Sequence, residues 1–212
     1  MKETFVRSQR YIELEAILKF DKNPYSTQEY RTNRELVVDN FIGFDFFKHL
    51  WELAENNPNR RIEVLEGGCG EGKALEQLKK GGKISSKTEY RGLGQRIRTT
   101  GITLFDGHLE MARQKPEEVR TDEMIIGPIQ FHKFDRKFDF IYDFCGAAMH
   151  FPESVIPIYQ KILRNDRIAF MRLMAGAMPK SPPEQLFEQS GFEIIDQGGN
   201  KFATMDFIVR KI

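Results

Sequence analysis

The sequence predicts an α/β domain built on a mostly parallel sheet, and three stretches carry that prediction. Arg61 to Leu75 runs from alternating apolar residues through Glu66 into a glycine-dense loop and then into good helix formers, the order strand, tight turn, helix. Phe138 to Phe144 is apolar enough for a strand buried on both faces. Near the end, Phe192 to Gln197 and Ala203 to Lys211 read as two closing strands around Gly198-Gly199-Asn200.

The 212 residues suit one domain with a core large enough to need no disulfide staple. A net charge of +1 with 30% charged residues provides no broad basic surface, so no nucleic-acid partner is expected. Met1 to Ser8 lacks the apolar run of a secretory signal and no stretch is long enough to span a membrane; a cytoplasmic protein is the expectation, and a delivered effector would look the same. Cys69 and Cys145 are read first as two reduced thiols, and His108 and His132 show no metal-ligand spacing, so no metal is expected.

Taken in order, residues 1–58 form a helical extension or lid ahead of a core at 59–212. Tyr11 to Phe20 keeps a helical period, Asn23-Pro24 breaks it, and Ser26 to Glu29 offers a cap. Leu36, Val37, Phe41, Phe44, Phe47, Leu50, Trp51 and Leu53 hold a helical spacing to about Asn56. After the glycine loop, Glu71 to Lys80 reads as a helix ended by Gly81-Gly82, and Lys79, Lys80, Lys83 and Lys87 read as a solvated helix end.

The loop admits three ligand classes. A G-x-G-x-x-G fingerprint fits in neither register, because its last position falls on Lys73 or Leu75. The phosphate-loop pattern fits from Gly67 to Lys73 but ends on Ala74, without the metal-ligating hydroxyl, leaving a nucleotide hydrolase using Lys73 a distant reading. An acidic residue followed by alternating glycines fits fully, through Glu66, Gly68, Gly70 and Gly72.

With that pattern the chain resembles the class I S-adenosylmethionine-dependent methyltransferases. Phe138–Phe144 resembles their fourth strand, Ala148–Glu153 the segment after it, Ile162–Phe170 a helix, turn and fifth strand with Asn165-Asp166 in the turn, and Leu186–Ile195 the last helix and sixth strand. The resemblance implies a single Rossmann-like domain with a seven-stranded, mostly parallel sheet flanked by helices, and S-adenosylmethionine as cofactor. It places Glu66, Gly67, Gly68, Cys69, Gly70, Gly72, Asp143 and Phe144 beside the cofactor and His150 as a candidate base. It also sets both cysteines past the ends of neighbouring strands, close enough for oxidation to matter.

Two positions depart from the family pattern. The acidic residue that accepts the ribose hydroxyls has two candidate registers. The preferred one is a second strand at Thr88–Gln95 with Gln95 at its end, and the other runs from Thr100 to Asp106 with the helix Leu109–Arg113 behind it. A helix to Lys115 and a third strand at Met124–Ile126 follow, and Gly127-Pro128 stands where many relatives carry an acid for the adenine amine. Val155–Leu163 is a crossover helix, Arg167–Met174 the fifth strand, and Glu184–Gln189 a helix started by Pro182-Pro183. The expected activity is methyl transfer to a small molecule; the competing expectation is an inactive methyltransferase-like scaffold with a protein partner.

Overall fold

Strand β1 (Ile62–Gly67) and strand β4 (Phe138–Asp143) lie side by side at the centre of the sheet, and their burial explains their apolar content. In this computed structural model the described residues are 44–81, 90–104, 106–144, 146–174, 182–200 and 204–212, all within the compact unit Glu35–Ile212. The expected helices ahead of Phe44, the lysines at 83 and 87, Cys145 and the loop 175–181 lie outside them.

The remaining strands are β2 (Ile97–Thr103), β3 (Glu123–Ile126), β5 (Leu163–Met174), β6 (Phe192–Asn200) and β7 (Thr204–Lys211). They form one seven-stranded sheet in the order β3-β2-β1-β4-β5-β7-β6. Strands β1 to β5 are parallel and β7 runs antiparallel to both neighbours. All five parallel strands therefore point their carboxyl ends to one edge, where an open α/β sheet binds its ligands.

Helix α1 (Phe46–Glu55) is capped by Asp45, whose carboxylate accepts the Lys48 N–H at 2.9 Å. Its buried face, Phe46, Phe47, Leu50, Leu53 and Ala54, joins Phe140, Tyr142 and Phe170 in one core. This part of the expected extension thus packs on the sheet itself. Helices α2 (Lys73–Lys80) and α3 (Leu93–Arg96) share that core through Ala74, Leu75, Leu78 and Leu93. Gly81 ends α2 with φ 73°, and its N–H bonds back to the carbonyls of Gln77 and Leu78.

The opposite face of the sheet is covered by α5 (Ala147–His150), α6 (Pro152–Ile162) and α7 (Pro183–Gln189), through Ala148, Val155, Ile156, Tyr159 and Phe187. Helix α4 (Asp106–Arg113) joins β2 to β3. None of the described helices is long and apolar enough to cross a membrane.

Four expectations are corrected. The second strand is Ile97–Thr103, not Thr88–Gln95, because Gly92 at φ 91° caps the short helix α3, whose Gly94 packs against the end of α2. A Cβ on Gly94 would lie 2.5 Å from the Lys79 carbonyl, whereas the run Ile97, Thr99, Thr100, Ile102, Thr103 is β-branched and buried. Helix α6 starts at Pro152, so Pro157 is interior; buried Val155, Ile156 and Tyr159 hold the helix despite the missing N–H. Gly198–Asn200 continues β6 opposite Thr204–Asp206 rather than turning. Asn165 and Asp166 lie within β5 at a register shift, with Asp166 at φ 57°.

His49 on α1 packs its ring against Phe44 and Phe140, and its Nε2 is buried with no hydrogen-bond partner among the described residues. Burial, with the Arg167 charge second, lowers its pKa from 6.5 to about 4. The unfolded chain therefore binds the proton more readily between these values. The histidine's contribution to stability is complete above pH 6.5 and is lost as the pH falls toward 4, a loss of roughly 2 kcal/mol after allowance for its partial exposure. Urea unfolding of wild type and His49→Phe at pH 7 and pH 4.5 should show the wild type losing more stability; equal losses would contradict the assignment.

Candidate functional site at the carboxyl edge of the sheet

Beyond β1 the chain passes through Gly68, Gly70 and Gly72 with φ of 69°, 54° and 76°. These are left-handed conformations that side-chain-bearing residues adopt only under strain, which accounts for the alternating glycines. Cys69 between them donates its N–H to the Ile102 carbonyl at 2.9 Å and receives the Gly72 N–H at 2.9 Å. Its buried thiol lies against Gly101, where a Cβ would come within 2.6 Å of Sγ. The loop is thereby tied to β2. Among the described residues, a Cβ added to Gly70 would meet nothing nearer than the His108 ring at 3.9 Å, so none of them covers this side of the loop.

The neighbouring strand ends complete the edge. Thr103 closes β2, and its hydroxyl lies 2.7 Å from Nδ1 of His108 on α4. Asp106 opens α4 and is exposed on the same edge as the glycine loop, three residues beyond Thr103, where β2 ends. Gln95, expected here, lies in α3 ahead of Ile97 and thus at the opposite, amino end of β2, since Ile97 pairs with Ile62. That position sets Gln95 away from the glycine loop, which lies beyond the carboxyl end of β1. Gly127 at φ 124° donates its N–H to Thr103, with Pro128 after it. Lys73 pairs with Glu71 at 3.1 Å.

Glu66 at the end of β1 is 6% exposed. Asp143 at the end of β4 is 0% exposed, and its carboxylate accepts from the N–H groups of Gly146 and Ala148 at 2.8 and 3.0 Å and from the Tyr159 hydroxyl at 2.5 Å. These donors come from the chain itself and enclose the carboxylate at the end of β4. Phe144 follows with its ring stacked on Tyr142 and Phe170. Arg172 lies 3.8 Å over the Phe144 ring and is gripped by both oxygens of buried Asp206, at 2.5 and 2.6 Å. His150 ends α5, partly buried, with its ring 6.3 Å from that of Phe151.

Sequence reasoning missed Tyr159, the Arg172–Asp206 pair and the Thr103–His108 contact. Tyr159 occupies a core position on the period of α6, and nothing local marks the hydroxyl that meets Asp143 across 16 residues. Arg172 and Asp206 come together only because β5 and β7 pair.

This architecture is the fold of the class I S-adenosylmethionine-dependent methyltransferases: a seven-stranded α/β sheet with the seventh strand antiparallel. Among solved structures, the magnesium protoporphyrin IX methyltransferase of Synechocystis PCC 6803 with bound S-adenosylmethionine matches over 94% of this chain and 97% of its own, at 13% identity and a TM-score of 0.59. A TehB-like methyltransferase of Corynebacterium glutamicum matches over 96% and 97%, at 17% identity and a TM-score of 0.54. A methyltransferase of Clostridium acetobutylicum matches over 94% and 99%, at 11% identity and a TM-score of 0.56. No protein-family model and no curated protein matches the sequence.

Proposed function

We propose that the chain binds S-adenosylmethionine across the carboxyl edge and transfers its methyl group to a small-molecule acceptor. The observation that carries this reading is the loop after β1: three left-handed glycines behind a buried acid, open at Gly70 and tied down at Cys69. Such a loop lets a ligand approach backbone that any side chain would cover. Structural neighbours include enzymes acting on magnesium protoporphyrin IX and on a glycopeptide, which supports a small-molecule acceptor.

Glu66, Gly67, Gly68, Cys69, Gly70 and Gly72 would hold the cofactor's amino-acid end, Asp106 its ribose and Phe144 one wall. Bound there, the cofactor supplies a methyl group on an already activated sulfonium. The protein's task is then to align the acceptor and exclude water, with His150 the candidate base for an acceptor that must lose a proton. A methyltransferase-like binding scaffold is the second reading. Pro128, without an N–H, stands at the adenine side, and the exposed Asp106 begins a helix instead of ending a strand.

Calorimetric titration with S-adenosylmethionine and S-adenosylhomocysteine separates the two. Micromolar binding of both is expected, weakened at least about tenfold in Asp106→Ala if its carboxylate holds the ribose. No heat and no thermal shift at millimolar ligand would refute cofactor binding and leave the scaffold.

A further inference from the structure

We propose that Tyr159 is a positioning residue for the cofactor loop, acting through Asp143 from a helix behind the sheet. This rests on the cofactor reading above, because the ligand affected is the one assigned to the loop.

The geometry is an interlock of three chain segments. Tyr159 on α6 is 0% exposed and its hydroxyl donates to Asp143 Oδ2 at 2.5 Å. The same oxygen accepts the Ala148 N–H, and Oδ1 accepts the Gly146 N–H, so one carboxylate holds both the tyrosine and the start of α5. Gly146 in turn presses on the last residue of β1: a Cβ there would lie 2.0 Å from the Gly67 carbonyl oxygen. Gly67 presses on the tyrosine, since its own Cβ would lie 1.9 Å from the Tyr159 hydroxyl. Each contact closes the circle at the residue from which the glycine loop departs.

Burial and the neighbouring Asp143 carboxylate, followed by Glu66, push the Tyr159 phenol well above its ordinary pKa. The group keeps its proton and remains a donor to Asp143. A fixed donor at one oxygen orients the carboxylate for its two backbone donors, as an outer partner orients a ligating group. Loss of that donor removes one of the bonds that orient the Asp143 carboxylate, weakens its hold on Gly146 and Ala148, and lets the last residue of β1, from which the loop departs, shift. The expected effect is on ligand affinity, at a residue not placed in contact with the ligand.

The test compares Tyr159→Phe with Ile156→Val, a core substitution on the same helix. Two readouts are taken: S-adenosylhomocysteine affinity, and amide hydrogen exchange at Gly146 and Ala148. Tyr159→Phe should weaken binding about tenfold and speed exchange at both amides at least about tenfold, whereas Ile156→Val should leave both near wild type. Rescue of neither readout is expected from a stabilising osmolyte, which would restore a merely destabilised protein. Unchanged affinity and exchange in Tyr159→Phe would overturn the proposal. If wild type binds no S-adenosylhomocysteine, the cofactor reading fails, and exchange alone decides whether the interlock holds. Should Tyr159→Phe not fold, exchange in the wild type decides: Gly146 and Ala148 amides must be protected without ligand, and exchange at exposed-loop rates would refute the interlock.

Discussion

Gly146→Ala is expected to destabilise the protein by about 3 kcal/mol or more, a large effect for a single methyl group. Its Cβ would lie 2.0 Å from the Gly67 carbonyl oxygen and 2.5 Å from the carbonyl carbon, and 2.7 Å from Asp143 Oδ1. Two of these three atoms are backbone of a central strand buried between neighbours, so no rotamer change relieves the overlap. Either β1 moves relative to β4 or the Asp143 hydrogen bonds break. An unfolding free energy within about 1 kcal/mol of wild type would show that Gly146 does not bear on β1. Gly70→Ala is the contrast: among the described residues its Cβ meets only the His108 ring at 3.9 Å, so its cost is that of the left-handed backbone, about 1 kcal/mol.

Asp139→Ala is expected to cost about 3 kcal/mol, by a different mechanism and at the opposite edge of the sheet. Asp139 is 0% exposed, binds Arg60 through both oxygens at 2.6 and 2.7 Å, and accepts the Glu63 N–H at 3.0 Å. Arg164 and Arg167 approach the same carboxylate at 3.4 and 3.6 Å. Removing it leaves three guanidinium groups facing one another around a vacated site, partly relieved by their solvent-exposed sides. Burial raises the carboxyl's pKa, but the Arg60 hydrogen bond and the Glu63 N–H outweigh it and hold it below the usual range.

That shift has a sign. A depressed carboxyl stabilises the fold above its unfolded pKa, about 4, and the contribution disappears as the pH falls through the lower folded value. Asp139→Asn, which keeps the shape, should therefore differ from wild type more at pH 7 than at pH 2.5. An equal difference at both would assign the loss to packing and not to charge. Because this cluster sits at the amino end of the strands, neither variant should alter the S-adenosylmethionine binding proposed for the opposite edge.

The glycine loop was legible because left-handed backbone restricts residue choice: Gly68, Gly70 and Gly72 mark in sequence what their φ values show in space. Strands β1, β4 and β7 were legible because burial on a pleated sheet imposes a composition, and the half-exposed β3 because Ile125 and Ile126 are β-branched. Strand β2 was misplaced for a related reason. Thr88–Gln95 and Ile97–Thr103 both carry β-forming residues, and the choice depends on Gly94 having to pass against the Lys79 backbone, a contact between segments 15 residues apart. Asp143 was found as a strand-end carboxylate, but its partners on α5 and α6 decide that it faces inward.

The sequence by itself determined the α/β class, the location of the loop and the edge of the sheet on which a site can lie, because local backbone restriction and alternation of burial are written residue by residue. Tertiary structure alone decided which carboxylates are enclosed and which stand open: Asp143 and Asp139 inside, Asp106 outside. It also decided that Tyr159 reaches the carboxyl edge of the sheet from behind it. The physical reason is that enclosure and hydrogen bonding of a charged group depend on donors brought in by strand pairing and helix packing, and those donors are distant in the chain.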